Sequence, residues 1–185
     1  MNKKVLIIAE AGVNHNGNIE KAKELIIQAK KAGADIVKFQ SFTAKNLLTE
    51  YAEKAEYQKK FTSSKESQYQ MLEKLELNIQ DHIIIRDFCI KNKIEFLSSP
   101  FDVESVKLLK KIGVKRIKIP SSEINNTLIL KHISKLKKEI ILSTGMSNMK
   151  DISFTINFLK KNKVPKENIT ILHCNSEYPT PYKDV

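Results

Sequence analysis

Cysteine is nearly absent, with only Cys89 and Cys174 in 185 residues. Two thiols cannot build a disulfide framework, and such sparse use fits a reducing, cytoplasmic setting. No apolar run is long enough to span a bilayer, and Val5–Ala9 is too short for the core of a secretion signal. Arginine is confined to Arg86 and Arg116, and no basic strand carries the aromatic residues of a base-stacking platform. Neither a Walker loop nor a GxGxxG follows the first apolar run, so no nucleotide-type phosphate loop is expected. CxxC and HxxxH spacings are missing too, which excludes a self-sufficient metal site: the expected metal ligands within this chain are none. Repeats, low-complexity tracts and linkers are likewise missing.

What is present is the composition of a soluble globular domain, 41% hydrophobic and 29% charged, and residues 1–185 are taken as one domain. The net charge of +11 raises nucleic acid as a partner. The excess lysines, however, fall on predicted helix surfaces, among them Lys21, Lys23, Lys107, Lys110, Lys160 and Lys161. The expectation is therefore no nucleic acid and no membrane partner.

Short apolar runs alternate with helical patterns. Six candidate strands are Val5–Ala9, Ile36–Phe39, Ile94–Ser98, Arg116–Ile119, Ile140–Ser143 and Ile169–His173. Between them, apolar residues recur at helical spacing: Ala22, Leu25, Ile26 and Ala29; Met71, Leu72 and Leu75; Ile83, Ile84 and Phe88; then Val106, Ile133 and Leu159 with their neighbours. Asn18, Asp102 and Asn126 are placed as N-caps, a further helix starts near Asp81, and Gly33 and Gly113 are stops. This β-α alternation predicts a parallel α/β sheet, either a closed barrel or a doubly wound open sheet. The long polar stretch Ser41–Ser67 breaks the rhythm, and such loops are usually functional or mobile.

Polar groups gather at or just after the strands: Glu10; Lys38 and Gln40; Ser98 and Ser99; Lys118, Ser121 and Glu123; Ser143 and Thr144; then His173 to Tyr178. Strand alternation sets Lys38 and Gln40 opposite Val37 and Phe39, and Lys118 opposite Ile117 and Ile119. A lysine turned inward must be hydrated, paired or ligand-bound. Since ligands of parallel α/β folds bind at the carboxyl ends of strands, two lysines and several hydroxyls suit a phosphate or carboxylate. An isolated serine would read as a cap, and either lysine as an edge residue or a structural ion pair. His82 and His132 read as surface residues, and His15 as bonded within its turn. His173 reads as a ligand or, more simply, as a satisfied barrel residue, and Cys174 as a nucleophile or, with no activating base or helix N-terminus in view, as a buried structural thiol.

The same residues carry a resemblance. Ile8-Ala9-Glu10-Ala11-Gly12-Val13-Asn14-His15-Asn16-Gly17, Val37-Lys38-Phe39-Gln40, Ser98-Ser99-Pro100-Phe101, Lys118-Ile119-Pro120-Ser121-Ser122-Glu123, Leu142-Ser143-Thr144-Gly145-Met146 and Leu172 to Pro181 resemble the sialic acid synthase family in order. The family includes N-acetylneuraminate, legionaminic and pseudaminic acid synthases. The resemblance implies a (β/α)8 TIM barrel and a transferase that condenses phosphoenolpyruvate (PEP) with N-acetylmannosamine, giving N-acetylneuraminate and phosphate. A diacetamido-trideoxy hexose leading to legionaminic acid is the alternative acceptor, and a non-catalytic anion- or sugar-binding fragment the alternative role. By position, Lys38, Ser99, Lys118, Ser121 and Ser143 resemble the PEP pocket, with Ser176 a further phosphate contact. Glu10, Gln40 and Tyr178 resemble the sugar contacts. Glu123 resembles the carboxylate beside the attacking water; Glu123, Glu10 and Lys118 form the catalytic set. Tyr57-Gln58 and Glu66-Ser67-Gln68 tip the acceptor toward N-acetylmannosamine. The family also implies a divalent metal, Mn2+ or Mg2+, polarising the sugar aldehyde, and a homodimer of the full-length protein.

Departures are also visible. Ser122 stands where glycine is common and is expected to strain its turn. Ser99 replaces a frequent threonine, and Ser176 an asparagine of some members. The chain stops after the sixth expected strand, before the family's metal-binding histidines and its C-terminal antifreeze-like domain. The expectation is therefore a barrel truncated after about six strands, inactive in isolation.

Overall fold

The computed structural model describes residues 5–49, 52, 66–177 and 179–185. The chain divides into two compact units, Met1–Phe96 and Leu97–Val185, with the division inside one strand.

The first unit holds β1 (Ile8–Gly12), α1 (Ile19–Lys31), β2 (Ile36–Ser41), the short α2 (Ala44–Leu47), α3 (Gln68–Glu73), α4 (Ile79–Lys91) and the opening residues of β3 (Glu95–Pro100). Strand order is β1-β2-β3, with β1 and β2 parallel. The first strand starts later than Val5–Ala9 predicts. Val5, Leu6 and Ile7 are exposed, and register with β2 begins at Ile8↔Ile36. A bulge between Glu10 and Gly12 lets Gly12 take a φ of +53°, where glycine is favoured. In β2 the predicted alternation holds: Val37, Phe39 and Ser41 are buried, while Lys38 and Gln40 are half-buried. Phe39 stacks on Phe96 with ring centroids 5.8 Å apart.

Helix boundaries follow the side chains that cap them. Asn18 accepts from the Lys21 N–H and starts α1, as predicted. The helix predicted near Asp81 begins earlier, because Asn78 and Asp81 form a reciprocal capping box. Its buried face is also not the one predicted. His82, Ile85 and Cys89 point inward, leaving Ile83, Ile84 and Phe88 half-buried. The run Ile83-Ile84-Ile85 blurs the helical period, so either face looked apolar enough.

The second unit continues β3 and holds α5 (Val103–Ile112), β4 (Arg116–Ile119), α6 (Thr127–Ser134), β5 (Glu139–Ser143), α7 (Met149–Lys161) and β6 (Ile169–Leu172). Strands β4, β5 and β6 form a parallel sheet in that order. Asp102 caps α5 through the Ser105 N–H, and Gly113 ends it at φ +75°, both as predicted. Asn126 caps α6 as expected. Its core is Ile117, Ile119, Ile129, Leu130, Ile140 and Leu142 with Leu109 and Leu159. Both units thus show the expected parallel β-α alternation. Among the described residues no helix is long and apolar enough to cross a membrane.

Candidate active site

In the first unit, β1 and β2 set Glu10 directly across from Lys38. Their side chains form an ion pair at 2.6 Å, with Lys38 largely covered and Glu10 half exposed. A pair open to water on one side stabilises the fold by only about 0–1 kcal/mol, so its effect is chiefly to fix two charges beside each other. A Cβ added at Gly12 would lie 3.2 Å from Glu10 Oε1 and 3.9 Å from Gln40 Nε2. Glu10, Lys38 and Gln40 therefore form one cluster around a glycine bulge.

In the second unit, β4 and β5 place a second lysine by the same logic. Register pairs Lys118 with Ile141, and two residues on, Ser143 returns to the same face. Lys118 is buried, and its ammonium donates to Ser143 Oγ and to the Ile119 carbonyl at 3.2 Å. The Cys174 thiol donates to Ser143 Oγ at 3.3 Å. Beside them the Gly145 N–H donates to Ser121 Oγ at 2.9 Å. A Cβ on Gly145 would collide with Ser176 Oγ and lie 3.0 Å from Ser121 Oγ, so the loops after β4, β5 and β6 close tightly there. The arrangement offers an ammonium and three hydroxyls at the carboxyl ends of parallel strands, the chemistry of an oxyanion site.

Glu123 lies in the 3-10 turn Ser121–Glu123. Its carboxylate accepts from Ser122 Oγ at 3.1 Å and Asn126 Nδ2 at 2.7 Å, which orients it. Ser122 does not strain that turn as predicted: it is absent from the left-handed residues and bonds its neighbour. Ser99 is buried in β3. Tyr178 and Tyr57-Gln58 lie outside the described residues.

Three further expectations change. His82 is not a surface residue; it is 1% exposed. Its Nδ1 donates to the Asn78 carbonyl at 2.9 Å, so a neutral ring accepts at Nε2 from Ser41 Oγ at 2.8 Å. His173 is exposed rather than packed into a barrel interior. Cys174 is only half-buried and bonded to Ser143, whereas Cys89 is the buried thiol, its pKa pushed up to about 12 by desolvation. His15 behaves as predicted, accepting from the Gly17 N–H at 3.0 Å. Burial, and secondarily the nearby His82, hold its pKa below the usual value.

The described residues do not fit the divalent metal that the family implies. No group of three or more His, Cys, Asp or Glu side chains among them could hold one. His82 is committed to Asn78 and Ser41, while His15 bonds its turn through Nδ1 and leaves Nε2 buried without a partner, far short of a ligand set.

Parallel β-α units with lysines and hydroxyls at the strand ends define an α/β protein of the parallel-sheet class. More narrowly, the chain belongs to the NeuB family, whose profile matches residues 25–185. It is 55% identical over 183 residues to an N,N'-diacetyllegionaminic acid synthase of Campylobacter jejuni, covering 99% of this chain and 55% of the relative. A second N,N'-diacetyllegionaminic acid synthase, of Legionella pneumophila, is 45% identical over 97% of this chain and 51% of its own length. A crystal structure of an N-acetylneuraminic acid synthetase from Leptospira borgpetersenii in complex with citrate superimposes with a TM-score of 0.83 at 31% identity. That match covers 99% of this chain and 58% of the other. The chain thus spans about half the length of the curated relatives it matches.

Proposed function

We propose that this chain supplies the PEP-binding part of a sugar-acid synthase that joins PEP to an N-acetylated amino-sugar aldehyde, within a (β/α)8 barrel in the complete protein. The observation that carries the reading is the buried Lys118 ammonium, held on Ser143 at a strand end. A covered ammonium beside hydroxyls at a strand end suits an anionic ligand. Lys118, Ser121, Ser143 and Ser176 take the phosphate, with Ser99 of the same unit a further PEP contact. Glu10, Gln40 and Tyr178 take the sugar.

The chemistry follows from the charges. PEP C3 attacks the aldehyde carbon, whose oxygen becomes an alkoxide and takes up a proton. Positive charge grows at C2, and water adds there while Glu123 accepts its proton. The resulting tetrahedral carbon expels phosphate and becomes a ketone. Holding both reactants in register supplies much of the rate. The acceptor favoured by the relatives is a diacetamido-trideoxy hexose, since both legionaminic acid synthases exceed the 34% identity to an N-acetylneuraminate-9-phosphate synthase of Drosophila melanogaster. N-acetylmannosamine is the second reading, supported by the 31%-identical Leptospira synthetase.

The test is Lys118→Ala in the active protein that contains this chain. Phosphate release from PEP should fall to background while circular dichroism stays unchanged, and undiminished turnover would refute the assignment. Parallel assays with the two acceptors choose between the sugars. Binding of PEP without phosphate release from either acceptor would favour a non-catalytic anion-binding role.

A further inference from the structure

We propose that Cys174 is a positioning residue of the anion pocket, its thiol and the Lys118 ammonium together filling the acceptor positions of Ser143 so that the serine's own proton is aimed at the substrate's anionic oxygen. This rests on the functional reading above. A serine hydroxyl has one proton to donate and two lone pairs to accept with. Lys118 Nζ takes one lone pair and Cys174 Sγ, at 3.3 Å, takes the other. With both filled, the hydroxyl acts only as a donor, which is what a phosphate or carboxylate oxygen requires.

The thiol's alternatives favour this arrangement. Its other acceptor within reach is the Leu172 carbonyl, which also receives the Thr144 hydroxyl at 2.7 Å; at 3.6 Å it is the longer of the thiol's two contacts, the one to Ser143 being 3.3 Å. The backbone supports it as well. Ser143 pairs with Leu172 in the β5–β6 register, and Cys174 follows two residues later, so an extended chain returns its side chain to the same face. A thiol is a weak donor, so it tethers the hydroxyl without competing for the anion as a charged group would.

The experiment measures PEP binding by calorimetry, and KM and kcat for PEP and acceptor, in the active protein. The variants are Cys174→Ala, Cys174→Val and Cys174→Ser, with Lys118→Ala as the control. Loss of one neutral hydrogen bond predicts a roughly 3- to 10-fold rise in KM and Kd for PEP in the Ala and Val variants. Acceptor KM and kcat stay within about twofold, and Ser restores PEP affinity. Val fills the thiol's volume without a donor, so equal weakening by Ala and Val, rescued by Ser, separates the hydrogen bond from packing. If Ala and Val bind PEP like the parent while Lys118→Ala does not, the inference alone falls. Failure of Ser to rescue would overturn it in favour of packing. A parent that ignores PEP, or a Lys118→Ala that binds it normally, brings down the functional reading and this inference together.

Discussion

His15 and His82 are both buried and both held below the ordinary histidine value near 6.5, chiefly by desolvation. His82 lowers His15 further, while the Asp81 carboxylate partly offsets both shifts and the Asn78 backbone offsets that of His82. As pH falls below about 6.5, the unfolded chain takes up protons that the folded chain refuses. Folding stability is therefore expected to drop across that window and return as pH rises through it. Urea unfolding from pH 7.5 to 5.5 measures this, and His82→Gln should flatten the slope. Gly145→Ala tests the serine cradle. The colliding atoms are rotatable hydroxyls, so the fold should lose less than about 1 kcal/mol. PEP affinity should nevertheless fall roughly tenfold as Ser121 and Ser176 are pushed aside, readable by calorimetry. At this scale the sequence revealed Lys38 and Lys118, because a two-residue period fixes which face each occupies. It hid the Cys174–Ser143 and His82–Ser41 bonds, since both join residues more than thirty positions apart that no local pattern links.

Secondary structure was legible where a short side chain writes the boundary. Asn18, Asp102, Asn126 and Gly113 all stand at helix ends as expected. Asn78 is harder to single out, because Asp81, its partner in the capping box, is an equally good start signal when read alone. Asn78→Ala should cost about 1 kcal/mol in chemical unfolding, and more than an alanine placed at exposed Glu73. The turn between β1 and α1 gives a sharper case. Gly17 sits at φ +70°, and a Cβ there would strike the backbone carbonyl of Lys74. Strain and collision act together, so Gly17→Ala is expected to destabilise by about 2–3 kcal/mol in the same measurement.

Across the whole molecule, both units are built on a central strand flanked by two others, β2 in one and β5 in the other. Amide hydrogen exchange should be slowest in those two strands and faster in β6, where Thr170 and Ile171 are exposed. Protection of β6 equal to that of β5 would contradict the sheet order. The parallel α/β class was legible from alternation alone, whereas closure of a barrel is a matter of strand count and tilt that no periodicity encodes. The division at Phe96 and Leu97 was not legible either, for it falls between the two adjacent apolar residues of β3 rather than at its Ser98-Ser99-Pro100 end.

The extra residue in β1, where two positions answer one on β2, also sets how much length change that segment tolerates. Deleting Ala11 would let Gly12 follow Glu10 one for one against Phe39 and Lys38, so the kink would flatten and the left-handed conformation at Gly12 would lose its cause. The segment leading to His15 would then leave the strand along a different line. Length is held more tightly here than residue type, Gly12 apart.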